Sequence, residues 1–125
     1  MKIPYVNLSS QWEEEKKDIL EIIDNVLSKG QFVGGEEIFD FEQNIKDLCD
    51  VKHVVALNSG TDALTLGLHI LGIGPGDEVI TPPNSFIATT AAIVHLGAKP
   101  VFIDVLSDQN LDPEKIESLI NSQTK

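Results

Sequence analysis

The sequence has no arginine and only one cysteine among its 125 residues. Without a guanidinium, the chain cannot form the two-pronged hydrogen bonds that arginine makes to a carboxylate or phosphate. Such a contact must come from backbone N–H groups, from lysine or from another chain. The lone Cys49 excludes an intrachain disulfide and a cysteine metal site, as is typical of a reducing compartment. Its place near a helix end predicts a small, buried apolar group.

Positive charge and long hydrophobic runs are scarce as well. Nine lysines stand against twenty Asp and Glu residues, which gives a formal net charge of -11. This balance argues against a nucleic-acid partner, because no basic face could replace the counterions of the phosphates. No apolar run reaches membrane-spanning length, and the first residues lack the apolar core of a signal peptide. We therefore expect a cytoplasmic protein with no membrane partner.

The most informative segment is a short apolar run that leads through a glycine turn into a helix. Residues 54–57 favour a strand buried in a parallel sheet, and Asn58-Ser59-Gly60 supplies the turn. A helix then starts near Thr61, and its first N–H groups suit an oxyanion, with the Ser59 and Thr61 hydroxyls as further donors. The same residues also fit a strand, turn and helix, capped by Ser59 or Thr61, that bind no ligand.

The rest of the chain predicts an α/β fold. Amphipathic helices are expected over residues 11–28, with Ser10 and Glu13 as a capping box, and after Gly34-Gly35. Strands are then predicted at 54–57, 78–81 and 100–104, and they alternate with helices at 61–71, 86–96 and from Pro113 onward, the last with Asp112 as N-cap. This order predicts a doubly wound, mostly parallel sheet.

The change of pattern divides the chain into an N-terminal helical segment, residues 1–52, and the first βαβαβα portion of a larger domain, residues 53–125. The alternation calls for another strand at the last residues, so we expect a truncated larger domain or one completed by a partner. In parallel sheets ligands collect at the carboxyl ends of the strands. Here these ends are residues 58–62, 82–86 and 104–107.

Two missing motifs exclude two common classes of phosphate-binding site. A Rossmann dinucleotide site needs Gly-x-Gly-x-x-Gly and an acidic residue after the second strand, and a P-loop needs Gly-Lys-Ser or Gly-Lys-Thr. None of these occurs. What remains is a binding site for a single phosphate, with Phe86 at the neighbouring strand end. Such a site suits a small planar phosphorylated cofactor stacked on the phenylalanine ring. The alternative is that Phe86 is a core residue of a helix first turn.

Four blocks, residues 58–64, 74–80, 85–89 and 97–104, closely resemble the sugar-nucleotide aminotransferases of the DegT/StrS family. These enzymes use pyridoxal 5'-phosphate on the fold type I scaffold, and the resemblance covers essentially the whole chain. It implies the N-terminal part of the large cofactor-binding domain. It further implies that Gly60, Thr61 and Asp62 bind the cofactor phosphate, Asp62 through its backbone N–H, and that Phe86 stacks on the pyridine ring.

The resemblance also implies what these residues do not supply. The Schiff-base lysine and the Asp that pairs with the pyridine nitrogen are expected beyond residue 125, so no catalytic residue is assigned and the chain alone is expected to be inactive. Asp104 is interpreted as a structural strand-end residue. His53, His69 and His95 lack metal-ligand spacing, and no metal site is predicted.

The implied activity is amination of a keto-sugar nucleotide by an amino-acid donor, glutamate, in a homodimer. Two other hypotheses stay open. One is a truncated, non-catalytic relative that binds a phosphate ligand or a partner chain. The other is another branch of the same superfamily, such as a cysteine desulfurase or a pyridoxal-phosphate-dependent sugar dehydratase, the latter decided by whether the Schiff-base position is Lys or His.

Overall fold

A computed structural model of the protein describes residues 3–125. The chain divides into two compact units. The N-terminal unit extends to Ala56, and the C-terminal unit comprises Leu57–Lys125.

The N-terminal unit contains two helices, α1 (Leu8–Ser28) and α2 (Glu36–Cys49). The start predicted for α1 is wrong by three residues. Asn7 is the N-cap without a side-chain cap, and the N–H of Gln11 donates to the Asn7 carbonyl at 3.4 Å. Ser10 therefore lies inside the first turn, and the predicted capping box does not form. At the other end, Gly30 adopts φ +74°, a left-handed conformation that favours glycine, and the helix stops.

The apolar stripes of both helices are uncovered within this unit. Neither helix has a buried residue, and Ile22, Phe39 and Leu48 are among the exposed large side chains. Cys49 is exposed too, so the prediction of a buried thiol is wrong. A cysteine at the end of a helix with no covering layer has no interior to enter.

The strand predicted at residues 54–57 is not formed. A β-strand is stabilised by hydrogen bonds to a neighbouring strand, and the described part of the chain offers none here. Instead, the N–H of Ala56 donates to the carboxylate of Glu42 on α2, at 2.8 Å. A side chain thus satisfies a backbone donor that a sheet would otherwise pair.

The C-terminal unit alternates helices and strands as predicted. Its two strands are parallel, with Glu78 opposite Lys99 and Thr81 opposite Phe102. This parallel pair between helices confirms the predicted α/β class. The elements are α3 (Gly60–Ile70), β1 (Glu78–Thr81), α4 (Ile87–His95), β2 (Lys99–Phe102) and α5 (Pro113–Leu119).

A third segment begins to pair on the free side of β1. Thr124 forms a parallel bridge with Glu78. The Glu78 N–H donates to the Gln123 carbonyl at 2.7 Å, and the Lys125 N–H donates to the Glu78 carbonyl at 3.0 Å. This single bridge lies after α5, where the sequence calls for another strand, and β1 lies between β2 and this segment.

The core of this unit is formed by α4, the turn that follows it and the turn between α3 and β1. Ile93 is 2% exposed and packs in a cluster with Ile73 and Ala98. The turn after α4 needs glycine: Gly97 has φ +78°, and a Cβ there would lie 3.0 Å from the ring of Pro75. The residues packed around the cluster are partly buried and come from α3, β1 and the end of α4: Leu68, Val79 and Leu96.

Glu78 ties three chain segments together at the amino end of β1. Its carboxylate accepts from Lys99 Nζ at 2.7 Å and from Asn121 Nδ2 at 2.8 Å. The residue is 8% exposed, yet both oxygens have partners. The hydrogen bond from Lys99, then that from Asn121, holds the pKa of Glu78 below its ordinary value of 4.5.

We expect Glu78 to contribute to acid sensitivity. Because its pKa is lower in the folded state, its contribution to stability is complete above the unfolded value and is lost as the pH falls through the folded value. Glu78→Gln should lower the melting temperature at neutral pH and make its decline shallower as the pH falls below 4.5, the ordinary pKa of this carboxyl group. Thermal unfolding across this range measures both effects. The control is Glu117→Gln on α5, and an unchanged slope in Glu78→Gln would contradict the prediction.

Candidate functional site

The N-terminus of α3 carries two free backbone donors. The helix begins at Gly60, directly after Ser59 in an extended conformation at the N-cap. In the described part of the chain, the N–H groups of Gly60 and Thr61 have no hydrogen-bond partner, and the Ala63 N–H is the first to donate within the helix, to the Ser59 carbonyl at 3.1 Å. Two unpaired donors at the positive end of a helix dipole suit an anion.

Asp62 is already engaged with the cap. Its N–H donates to Ser59 Oγ at 3.1 Å, and the Ser59 hydroxyl donates to Asp62 Oδ2 at 3.0 Å. Ser59, one of the two candidate caps, is therefore the cap of this helix. An anion at this helix end and Ser59 Oγ would compete for the same N–H of Asp62.

The space in front of this turn is open. A Cβ built on Gly60 would meet nothing within 4 Å. Thr61 is half-buried, and its hydroxyl has no hydrogen-bond partner among the described residues. Free donors, a free hydroxyl and open space fit the terminal phosphate of a small cofactor.

Phe86 presents its ring to solvent. It is the N-cap residue of α4, in an extended conformation and without a side-chain cap, so neither Asn84 nor Ser85 caps this helix. The side chain is 77% exposed. Within the described chain, then, Phe86 is not a core residue of the first turn, and its ring is free to stack on a ligand.

The N-termini of α3 and α4 face the same edge of the sheet. Each helix ends shortly before the amino end of a strand, α3 before β1 and α4 before β2, and the two strands are parallel neighbours. The two helices also pack against each other. Their N-termini, with Gly60 and Phe86, therefore point toward the carboxyl edge, where ligands bind in open α/β sheets.

The loop after β2, residues 105–111, reaches the same edge, as the strand end predicted at residues 104–107 implies. Val105 and Leu111 form an antiparallel bridge, which closes the loop as a small hairpin. At its tip, Gln109 Oε1 accepts from Asn84 Nδ2 at 2.6 Å. No local pattern in the sequence signals a contact between residues 25 positions apart.

The carboxylate of Asp104 binds the backbone of its own loop and a lysine of α5. It accepts from the Val105 N–H at 3.0 Å and lies 3.5 Å from Lys115 Nζ. The backbone hydrogen bond, followed by the charge of Lys115, lowers the pKa of Asp104. Asp112 also binds Lys115, at 3.3 Å, and caps α5 by accepting from the Glu114 N–H at 3.0 Å, as the sequence predicts.

Two kinds of feature are missing from residues 3–125. No group of three or more His, Cys, Asp or Glu side chains could hold a metal ion. None of the helices there is long and apolar enough to cross a bilayer.

The chain is similar to proteins of a known family. The profile of the DegT/DnrJ/EryC1/StrS aminotransferase family matches residues 13–125. The chain belongs to this family. The family depends on pyridoxal phosphate.

Two similar proteins are named as aminotransferases of different sugars. A UDP-2-acetamido-2-deoxy-3-oxo-D-glucuronate aminotransferase from Pseudomonas aeruginosa is 39% identical and aligns with 98% of the chain. A 3-oxo-glucose-6-phosphate:glutamate aminotransferase from Bacillus subtilis is 38% identical over 99% of the chain. The chain spans 34% and 29% of their respective lengths, about a third of each.

Solved structures agree with the fold. The crystal structure of Streptomyces venezuelae DesV, in complex with a ketimine intermediate, superposes with a TM-score of 0.93 at 38% identity. The Bacillus subtilis protein NtdA, crystallised with the cofactor pyridoxamine phosphate, superposes with a TM-score of 0.91, also at 38% identity. Each alignment covers 99% of this chain, and 34% and 29% of the respective neighbours. The chain therefore has the fold of an N-terminal part of these fold type I enzymes.

Proposed function

We propose that this chain is the cofactor-phosphate-binding part of an enzyme that aminates a keto-sugar nucleotide. The observation that carries the proposal is the pair of free N–H groups at Gly60 and Thr61, on the sheet edge that also carries the exposed ring of Phe86. Family membership makes pyridoxal phosphate the cofactor that such a site would hold.

Different residues of the site would bind different parts of the cofactor. Gly60 and Thr61 would donate to the phosphate through their N–H groups, and Thr61 also through its hydroxyl. Asp62 would add its N–H if Ser59 Oγ released or shared it. Phe86 would cover one face of the pyridine ring. When bound, the cofactor supplies the electron sink for amino transfer.

The substrate class comes from the relatives. Their names specify oxo or amino derivatives of hexoses, some linked to UDP or dTDP, and one names glutamate as the donor. We propose a keto-sugar nucleotide as amino acceptor and glutamate as amino donor. The Schiff-base lysine and the Asp partner of the pyridine nitrogen would lie outside these 125 residues.

We also propose a homodimer in the cytoplasm, with a boundary between the helical segment and the sheet portion near residue 52. The exposed apolar side chains of α1 and α2 support the dimer, because such surfaces are costly to leave in water. The single cysteine supports the reducing compartment.

The proposal is tested with the full-length protein loaded with pyridoxal phosphate. Glutamate should convert the bound cofactor to its amino form, seen as a loss of visible absorbance. A keto-sugar nucleotide should then restore the absorbance and yield an aminated sugar, identified by mass spectrometry. Deoxygenation of the sugar without amination would indicate the dehydratase instead, and absence of cofactor binding would indicate the non-catalytic relative.

For Phe86 we expect Phe86→Leu to weaken cofactor retention while the fold is kept. Leucine preserves much of the apolar volume but loses the flat face, so cofactor dissociation should accelerate about 2- to 10-fold. Stopped-flow absorbance measures the rate, and the melting temperature of the apo-protein should change little. Phe39→Leu on α2, at a side chain 61% exposed, is the matched control. A large drop in apo stability with normal cofactor retention would show that Phe86 is structural.

A further inference from the structure

The tip of the loop 105–111 is held by its own hydrogen bonds. The Gln109 N–H donates to the Leu106 carbonyl at 2.9 Å, and the Leu106 N–H donates to the Asn110 carbonyl at 2.8 Å. The carboxylate of Asp108 accepts from the backbone and side-chain N–H groups of Asn110, at 3.0 and 3.1 Å. The tip is therefore ordered without help from the rest of the sheet edge.

Gln109 occupies a conformation that glutamine seldom adopts. Its φ is +70°, in the left-handed region, and only one other non-glycine residue of the described chain shares this feature. Such a backbone persists where surrounding contacts fix it. Here it directs the side chain to Asn84, and the 2.6 Å hydrogen bond links two loops at the carboxyl edge of the sheet.

Asn84 lies two residues before Phe86, in the loop that leaves β1. The Ser85 and Thr89 hydroxyls, 3.0 Å apart, link the residues that flank Phe86, and the Thr89 N–H donates to the Phe86 carbonyl at 3.1 Å. The backbone is thus held both before and after Phe86. The ring, in contrast, is 77% exposed and receives little support from its own packing.

We propose that Gln109 is a positioning residue for the cofactor ring: through Asn84 it fixes the loop that presents Phe86 for stacking. This inference rests on the proposed function of the site. Stacking depends on the orientation of the two rings, and a loop that is ordered before binding loses less entropy when the ligand arrives. Gln109 itself touches no part of the cofactor in this proposal.

The test uses pyridoxamine phosphate and pyridoxamine, which need no lysine linkage to bind. The variant is Gln109→Asn in the full-length protein, since asparagine tolerates the left-handed backbone but is one methylene too short to reach Asn84. We expect its dissociation constants for the two ligands to rise by a similar factor of about 2 to 10, the scale of one lost hydrogen bond. The circular dichroism band of the bound ligand should also change, because it reports how the ring is held.

Three comparisons separate positioning from a general loss of structure. Gln109→Glu keeps the accepting oxygen and should bind like the wild type. Asn84→Ala should match Gln109→Asn, and the double variant should be no weaker than either. Gln123→Asn is the matched control, because this exposed glutamine has no side-chain hydrogen bond in the structure.

Unchanged affinity and dichroism in Gln109→Asn, with normal wild-type binding, would overturn the positioning role alone. A loss of affinity confined to the phosphorylated ligand would also overturn it, because the substitution would then act on the phosphate-binding groups at the N-terminus of α3. A loss of affinity that Gln109→Glu fails to rescue would overturn it too. If the wild-type protein itself does not bind pyridoxamine phosphate, the proposed function fails instead.

Discussion

Replacing Ile93 with alanine is expected to lower the free energy of unfolding by about 2 to 5 kcal/mol, the scale for truncating a fully buried aliphatic side chain. Ile93 is 2% exposed and packs against Ile73 and Ala98. Alanine would leave a cavity that a small neighbouring residue such as Ala98 cannot fill. Urea denaturation of the apo-protein, followed by circular dichroism, measures the loss.

The neighbouring Val94 provides the control for this prediction. It lies on the same helix but is 53% exposed, so Val94→Ala should cost much less than Ile93→Ala. Equal losses of unfolding free energy in the two variants would show that the loss comes from placing alanine in this helix and not from the core contact of Ile93. Val79 of β1 packs against this core cluster. A cavity at Ile93 should therefore also disturb the sheet whose edge carries the candidate site.

The parts of the fold that local chemistry determines could be predicted from the sequence. The Asp112-Pro113 start of α5, the strand at residues 78–81 and the glycine turn after α4 each depend on residues only a few positions apart. Capping, β-branched runs and left-handed glycines act at this range, so their signals are visible in one sequence.

What could not be predicted depends on distant partners. Residues 54–57 have the composition of a strand, yet pairing needs a neighbour, and Glu42 takes the Ala56 N–H instead. The bond between Asn84 and Gln109 likewise joins loops that only the fold brings together. The start of α1 was missed for another reason: the first turn closes on the Asn7 carbonyl, and a serine and glutamate at capping-box spacing were misleading.

In the candidate site, too, some features could be predicted from the local sequence and others could not. The glycine turn predicted free donors at the start of a helix near Thr61, and in the described chain the N–H groups of Gly60 and Thr61 are unpaired. The reciprocal bonds between Ser59 and Asp62 were not foreseen, and they make the N–H of Asp62 the least available of the three. The phosphate role is therefore tested most directly at Thr61, whose N–H and hydroxyl are both unpaired among the described residues.

Thr61→Ala is expected to weaken binding of pyridoxal phosphate by about 1 to 3 kcal/mol, the cost of removing one hydrogen bond to a charged group. The backbone N–H survives the substitution, so the loss reports the hydroxyl alone. Titration of the full-length protein by visible absorbance gives the affinity. Pyridoxal, which lacks the phosphate, should bind both proteins alike.

Thr90→Ala on α4 is the control for this last prediction, since Thr90 is half-buried and its hydroxyl has no hydrogen bond in the structure. Equal affinity for pyridoxal phosphate in Thr61→Ala and the wild type would remove the Thr61 hydroxyl from the site. An equal loss for pyridoxal and pyridoxal phosphate would also contradict it, because a contact to the phosphate cannot affect a ligand that has none. The selective loss that we expect would place the phosphate at the N-terminus of α3.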